Sequence, residues 1–500
     1  MESGIQGFYK DKTVLVTGAT GFLGKVIIEK LLRATDVKRI YILVRCKRGR
    51  TIGERILAWQ KEPLFAGLLQ SRPKAFERVL AVAGDCLHPS LDMSESDRGT
   101  LTAEVQIVIH GAATVRFNEQ LHVALAINTR ATRLLVQLAK QMVKLEAFVH
   151  VSTAFSNCVI DRIEEKFYPE HLSCSSAKVL EMSELLSAEL MDNMTPALLG
   201  AYPNTYTYTK ALAEDVILRE AGDLPISIFR PAVIVASHKE PVCGWIDNLY
   251  GPIAIIYGVA RGVLRVVNLD MNTCSSLVPV DYCANVALAS LWQTSKKRGE
   301  KMAVPDIYTL APAEQNPLTK RNFVDYALSF RSQYPLTQMI WYPLLHCISS
   351  SWLFHLAAFF FHTLPGHAFD LALRLAGRKP RLVDVYRKIH TNMDMLKPFM
   401  NTTWHFDTKN TDRLRELMSA EERRVFFFDM AGLEWRDYFQ HALLGMRLYL
   451  GKDPPTTESI AQGQRLFKRL KLLHHALQAA LCCVAGLVLW ALLKTLVFAI

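Results

Sequence analysis

The sequence lacks most of what would mark a secreted, metal-binding or nucleic-acid-binding chain. Its ten cysteines form no Cys-x-x-Cys pair and no even framework, which points to structural thiols in a reducing compartment. Histidine and cysteine positions show no metal-ligand spacing, so no metal is expected. The polar N-terminal residues lead straight into a strand pattern, so no signal peptide is expected. The sequons at Asn193 and Asn401 then read as chance matches. Disordered composition is absent too: 50% of the 500 residues are hydrophobic and 21% charged, enough to bury large cores. That length exceeds the ~100–200 residues of one domain. The formal charge is +11 and the pI about 9.1, but no basic stripe interleaved with aromatics occurs. Local clusters at Arg45–Arg50, Arg374–Arg381 and Arg465–Lys471 argue against nucleic acid. They fit a multiply phosphorylated substrate or an anionic membrane surface.

What is present begins with Thr13-Val-Leu-Val-Thr-Gly-Ala-Thr-Gly-Phe-Leu-Gly24. The run Thr13–Val16 reads as a buried strand, and Lys25–Leu32 as a helix. Strand, glycine turn and helix in that order make a dinucleotide site. The first glycine permits the turn, the second lets backbone approach a pyrophosphate, and the third lets helix pack on strand. Gly18, Thr20, Gly21, Phe22, Leu23 and Gly24 are therefore the candidate cofactor loop, with the pyrophosphate on the helix N-terminus. A glycine-rich surface turn is the bland alternative, and the flanking strand and helix weigh against it.

Further strands follow. Arg39–Val44 ends in Arg45, where an acidic residue would select the NAD ribose and an arginine favours a 2′-phosphate; this points to NADPH. Arg78–Ala83 ends in Gly84-Asp85, a candidate adenine contact or a plain loop residue. Val105–Ile109 runs into His110-Gly-Ala-Ala113, and Ala112 and Ala113 let a cofactor pass close over the backbone. His110 itself reads as a packed histidine. A helix is expected from Asn128 to Met142, with Leu134, Leu135, Leu138 and Met142 facing the sheet. Ala147–Val151 is the fifth strand, with Ser152-Thr153 at its end. Residues 157–200 look like an insertion holding one helical piece near Leu180–Asp192. Ile226–Phe229 is a sixth strand, with Arg230-Pro231 at its end and Pro231 a candidate nicotinamide neighbour. Leu277–Asp281 starts a further small-domain element. The alternation argues a doubly wound parallel sheet.

Tyr206-Thr-Tyr-Thr-Lys210 places Tyr206 and Lys210 on one face of a helix. A nearby ammonium favours phenolate, so the expected pKa of Tyr206 lies below its reference near ~10. Tyr202 and Tyr208 sit at the wrong spacing and read as structural. Glycine motif, Arg45, Ser152-Thr153 and Tyr-x-x-x-Lys in this order resemble the extended short-chain dehydrogenase/reductases. The segments His110-Gly-Ala-Ala-Thr-Val-Arg-Phe-Asn118, Val149-His-Val-Ser-Thr-Ala154, Asn204-Thr-Tyr-Thr-Tyr-Thr-Lys-Ala-Leu-Ala-Glu214 and Gly244-Trp-Ile-Asp-Asn248 narrow the likeness. They are similar to the alcohol-forming fatty acyl-CoA reductases over nearly the whole chain. Two departures stand out: that family usually has Tyr where Phe155 stands, and this chain stops sooner after its apolar tail begins.

The resemblance implies an NADPH-dependent enzyme reducing long-chain acyl-CoA to fatty alcohol through an aldehyde. It implies Thr153, or its neighbour Ser152, as the hydroxyl polarising the carbonyl, Tyr206 as proton donor and Lys210 as the group that tunes it. Thr153 matches the usual position better. Arg116 and Lys239 are candidate partners for the CoA phosphates, each weighed against an ordinary surface charge. Another extended reductase acting on a sterol or nucleotide-sugar, and an NADP-sensing membrane scaffold, are the alternatives.

The C-terminal part is apolar from Ile340 to Leu364, but its longest clean run, Trp352–Leu364, is shorter than the ~17–25 residues of a membrane span. Helices buried in a C-terminal domain and lining an acyl tunnel are expected there, with a membrane-dipping segment as the alternative. The eighteen mostly apolar residues Ala476–Leu493, or more if Lys494 snorkels, can cross a bilayer. The basic residues before it place the catalytic part on the cytosolic side. The resemblance favours the peroxisomal membrane, with the endoplasmic reticulum as the alternative. Cys482 and Cys483 read as apolar filling. The expected divisions are 1–270 for an NADPH-binding Rossmann-type domain, 271–335 for substrate-domain elements, 336–460 for a mainly helical C-terminal domain and 461–500 for the transmembrane tail. A homo-oligomer is compatible with all of this.

Overall fold

Seven short runs of β-branched and aliphatic residues become one parallel sheet in the computed structural model, which describes residues 4–45, 51–297, 299 and 304–498. They are β1 (Thr13–Thr17), β2 (Arg39–Val44), β3 (Val79–Ala83), β4 (Ile107–His110), β5 (Ala147–Val151), β6 (Ile226–Pro231) and β7 (Asp306–Leu310). Their spatial order is 7-6-5-4-1-2-3. Thr13 pairs with Arg39 on one side, and Val14 with Ile107 on the other. Every residue of β1 and β5 is buried, as expected of a sheet covered on both faces. The order reverses between β1 and β4, and ligands of such sheets bind at that switch point, beyond the strands' carboxyl ends.

Four long helices cover this sheet: α1 (Phe22–Ala34), α2 (Ala131–Gln141), α3 (Thr205–Glu220) and α4 (Val280–Lys296). Leu135, Leu138 and Met142 join the core as expected, and Leu134 packs partly against it. The helix before α2 starts earlier than its apolar pattern suggests. Leu121–Ala124 is already helical and passes through a π-helical stretch, Leu125–Arg130. Leu277–Pro279 is a short strand beside Val233–Val235 and leads directly into α4. The insertion holds three short helices rather than one: Ser176–Leu185, Ala188–Asn193 and Thr195–Leu199. Their Val179, Met191 and Leu198 form a separate core with Tyr202, Tyr208 and Leu212. Both tyrosines are thus structural.

The chain divides into two compact units of interleaved segments. Unit 1 comprises Met1–Trp245, Thr273–Thr319 and Asn401–Glu434 and holds the sheet; unit 2 comprises Ile246–Asn272, Lys320–Met400 and Trp435–Ile500. Unit 2 is mainly helical, with one short parallel pair, Val266–Asn268 against His346–Ile348. Its core includes Leu336, Met339, Tyr342 and Leu344 with Phe467 and Leu470. The last two belong to α5 (Thr457–Phe498).

Two apolar stretches of unit 2 differ in outcome. Beyond His474, α5 is exposed on every side through Leu493. It is the one helix among the described residues long and apolar enough to cross a membrane, with a mean hydropathy of 2.2 over an 18-residue window. The 352–364 stretch is helical but not buried as expected: Trp352, Leu353, Leu356, Phe359, Phe360 and Leu364 are all exposed. Only one face of that helix finds a partner in the fold.

Candidate active site

The glycine loop follows from sterics at two positions. Gly18 has φ +72°, and a Cβ there would lie 2.6 Å from the backbone of Gly111. A Cβ on Gly24 would lie 2.2 Å from Gly18 O. The first glycine lets the loops after β1 and β4 touch, and the third lets α1 press against the turn. Gly21 is the N-cap of α1, with no side-chain cap and no acidic residue in the first turn. The opening amide dipoles therefore meet no competing carboxylate, and an anion suits them. Thr20 and Gly21 are exposed at the crest; Phe22 and Leu23 are half-buried. Phe22 stacks under Trp245, ring centroids 5.2 Å apart. The glycine loop and the Gly-Trp segment thus meet in space.

The neighbouring strand ends are fixed by polar contacts. Thr17 Oγ1 lies 2.7 Å from His110 Nδ1 and accepts a bond from the Ala112 N–H at 3.2 Å. His110 Nε2 lies 3.0 Å from Thr132 Oγ1. Burial pulls His110 down to about 3, with a smaller push from Lys210, so it stays neutral and braces the fold. Asn128, in the π-helical stretch, accepts from Thr114 N–H at 2.9 Å and donates to Thr114 O at 3.1 Å. It thereby fixes the backbone of Thr114, directly after Ala112-Ala113. Arg45 is exposed just beyond β2. Asp85 follows β3 and accepts a bond from the Leu87 N–H at 3.0 Å, so one of its oxygens shapes its own loop. Pro231 is buried at the end of β6, opposite Leu310 of β7.

The end of β5 and the start of α3 bring Thr153, Tyr206 and Lys210 together. Asn204 caps α3 by accepting from the Thr207 N–H at 2.9 Å, which fixes where the helix begins. Tyr206 stacks on Phe117, 5.8 Å between centroids, and shares a hydrogen bond with Thr153. Lys210, one turn on, donates to the Val151 carbonyl at 2.7 Å. The expected depression of the Tyr206 phenol is not what the structure shows. Burial pushes it up to about 12, and only the Thr153 bond pulls it back. Burial likewise pulls the Lys210 ammonium down to about 8, opposed by the Glu214 carboxylate. Desolvation outweighs the pairwise charge effect.

Ser152 and Thr153 part company. Ser152 donates to Glu214 Oε1 at 2.6 Å, while Thr153 faces Tyr206. Glu214 also accepts from Ser156 at 2.9 Å and from Arg230 through Nε at 2.9 Å and Nη2 at 2.6 Å. Arg230 is fully buried and donates onward to the carbonyls of Glu164 and Lys166. Sequence reasoning missed this pair. Its signal lies in the sequence: Glu214 four residues after Lys210, and Arg230 before Pro231 in the strand Ile226–Pro231. Phe155 packs edge-on against Trp404 and Phe406.

A family model described as "Male sterility protein", of NAD-binding type, matches residues 16–287, and a second of the same description matches 361–453. The chain is 42% identical over 493 residues to "Fatty acyl-CoA reductase wat" of Drosophila melanogaster, covering 99% of this chain and 94% of that protein. The chain belongs to the fatty acyl-CoA reductase family. "Fatty acyl-CoA reductase 1" of Xenopus laevis is 39% identical, covering 89% of this chain and 86% of its own. "Fatty acyl-CoA reductase 2" of Bos taurus is 36% identical, covering 98% and 93%. The fold is shared with a terminal R domain from the myxalamid PKS-NRPS pathway (TM-score 0.59, 20% identity, 88% and 91% covered). It is also shared with a nonribosomal peptide synthetase reductase domain from Mycobacterium tuberculosis (TM-score 0.57, 20% identity, 88% and 92% covered). Membership in this family and the glycine loop together make a nicotinamide dinucleotide the cofactor class.

Proposed function

We propose that the protein is an NADPH-dependent, alcohol-forming fatty acyl-CoA reductase acting on long-chain acyl-CoA. The observation that carries this reading is the meeting of Thr153, Tyr206 and Lys210 at the carboxyl end of β5, in a chain of this family. The α1 N-terminus, uncapped and free of acidic side chains, fits the pyrophosphate. Arg45 at the end of β2 fits a 2′-phosphate, Asp85 would lie toward the adenine, and Ala112, Ala113 and Pro231 toward the nicotinamide half.

When bound, NADPH supplies the hydride for each of two reductions. Thr153 and Tyr206 donate hydrogen bonds to the substrate oxygen as negative charge develops there. A phenol held near 12 is protonated at neutral pH, so Tyr206 enters each round as the acid and delivers its proton to that oxygen. Lys210 supplies the positive charge that stabilises the resulting phenolate. Ser152, engaged with Glu214, holds the end of β5 in place and leaves the catalytic hydroxyl to Thr153. The thioester gives a hemithioacetal that releases CoA, and the aldehyde is then reduced in turn. Overall, acyl-CoA, two NADPH and two protons give alcohol, CoA and two NADP+.

We read α5 as a membrane anchor. Arg465, Lys468, Arg469 and Lys471 precede its apolar part and favour a cytosolic position for the residues before it. The anchor is assigned to the peroxisomal membrane, with the endoplasmic reticulum as the alternative that co-localisation would decide. The direct test of the activity incubates detergent-solubilised protein with palmitoyl-CoA and NADPH, or NADH in parallel. Hexadecanol with two NADPH oxidised per alcohol, and a slower NADH reaction, are the expected results. Aldehyde alone would remove the second reduction, and equal rates with NADH would remove the role of Arg45.

A further inference from the structure

The helical stretch 351–375 of unit 2 is amphipathic in the inverted sense. It runs as Ser351–Ala358, a π-helical turn at Phe359–Thr363, and Leu364–Leu375. Its buried positions are Phe354, Ala358, His362, Gly366 and Asp370, an i, i+4 line along one face. Two of those five are polar, and both are satisfied. His362 Nε2 accepts from the Arg265 N–H at 3.0 Å. Asp370 accepts from the Arg381, Leu382 and Val383 N–H groups. Apart from Phe354, the large apolar side chains turn partly or wholly outward: Trp352 is 70% exposed, Phe360 56% and Leu375 83%. Asp370 is the only charged residue from 351 to 373, and it faces inward. A water-facing helix has the opposite arrangement, and an apolar stripe of this length marks a contact surface.

A chain of contacts ties this stretch to the place where α5 becomes apolar. His474, at that boundary, stacks on Tyr342 at 5.4 Å and accepts from Trp341 Nε1 at 3.4 Å. The Arg265 guanidinium lies 5.5 Å from the centre of the Trp341 ring. Arg265 Nη1 donates in turn to the Phe361 carbonyl at 3.4 Å. Exposed basic side chains border both apolar elements: Arg374, Arg378, Lys379 and Arg381 after the helix, and Arg465, Lys468, Arg469 and Lys471 before the tail. Aromatic side chains flanked by Lys and Arg suit the interface of an anionic phospholipid bilayer.

We propose that the outer face of residues 351–375 lies in the headgroup–acyl boundary of the bilayer that α5 enters, giving unit 2 a second, monotopic membrane contact. This rests on α5 being the anchor, so the test reads both elements at once. The full chain is reconstituted in phosphatidylcholine–phosphatidylserine vesicles with ordinary or brominated acyl chains, and bromine quenching of tryptophan emission is measured. Trp352→Phe and Trp490→Phe each remove one exposed indole and no internal packing. Loss of part of the quenchable emission in both variants is expected. If Trp490→Phe loses it and Trp352→Phe does not, the surface is covered by water or a second copy of the chain, and the proposal fails while the anchor stands. If neither variant loses it, the anchor reading fails as well.

Discussion

The buried pair Glu214–Arg230 offers a quantitative test of how the catalytic end of β5 is held. Arg230 has no exposed surface and Glu214 only 3%. Replacing Glu214 by Met leaves the guanidinium with two carbonyls, those of Glu164 and Lys166. It also leaves the Ser152 and Ser156 hydroxyls without their acceptor. Breaking one side of such a pair costs about 3–5 kcal/mol, because a charge stays buried without its counter-ion. Arg230→Met strands the carboxylate and is expected to cost a similar amount. The double variant buries no charge, so its cost should fall well below the sum of the singles. Hydrogen exchange of the β5 and β6 amides in the full chain reads this locally. A loss of about 3 kcal/mol corresponds to exchange faster by roughly a hundredfold. Single variants that change exchange less than about tenfold, or a double variant that is simply additive, would refute the reasoning. Either result would mean that water reaches the pair.

Lys210 gives a pH signature of its own. Its folded pKa of about 8 lies below its ordinary value, so the unfolded chain binds the extra proton between about 8 and the ordinary ~10.4. Stability should therefore rise with pH across that window while kcat/KM falls through about 8 as the ammonium is lost. Thermal scans and rate profiles moving in the same direction would contradict this, and Lys210→Met should abolish both trends. Gly24→Ala is expected to cost more than about 3 kcal/mol, since its Cβ would sit 2.2 Å from Gly18 O, a severe overpacking. Gly53→Ala, with nothing near its Cβ in the first turn of the helix Ile52–Gln60, should be neutral or stabilising by up to about 1 kcal/mol. Equal melting temperatures for the two variants would overturn that contrast.

Much of unit 1 was legible because its chemistry is punctuated by residues with few alternatives. Glycines with steric reasons mark the first turn, and apolar runs bounded by turns mark six of the seven strands. Strand β7, Asp306–Leu310, carries no such marker and emerges only from its pairing with β6. The early start of the helix before α2 is hidden because its apolar pattern begins only at Asn128, which is fully buried inside a π-helical stretch. The raised pKa of Tyr206 differs from the sequence expectation for a physical reason. Spacing reveals the ammonium one turn away, but burial of the phenol depends on what packs over it. The interleaving of the two units also lies beyond a linear reading, since Asn401–Glu434 returns to the sheet unit after a long excursion. Exposure of 352–364 was invisible for the same reason: an apolar helix reads alike whether a core or a lipid faces it.

The central claim is that Tyr206 is the acid for both reductions, with Thr153 sharing the substrate oxygen. The measurement that tests it most directly compares wild type and Tyr206→Phe in single-turnover reduction of palmitoyl-CoA, with NADPH affinity followed by cofactor fluorescence. Unchanged NADPH binding and a loss of about 10²–10⁴-fold in rate are expected. Undiminished hexadecanol formation by Tyr206→Phe would contradict it.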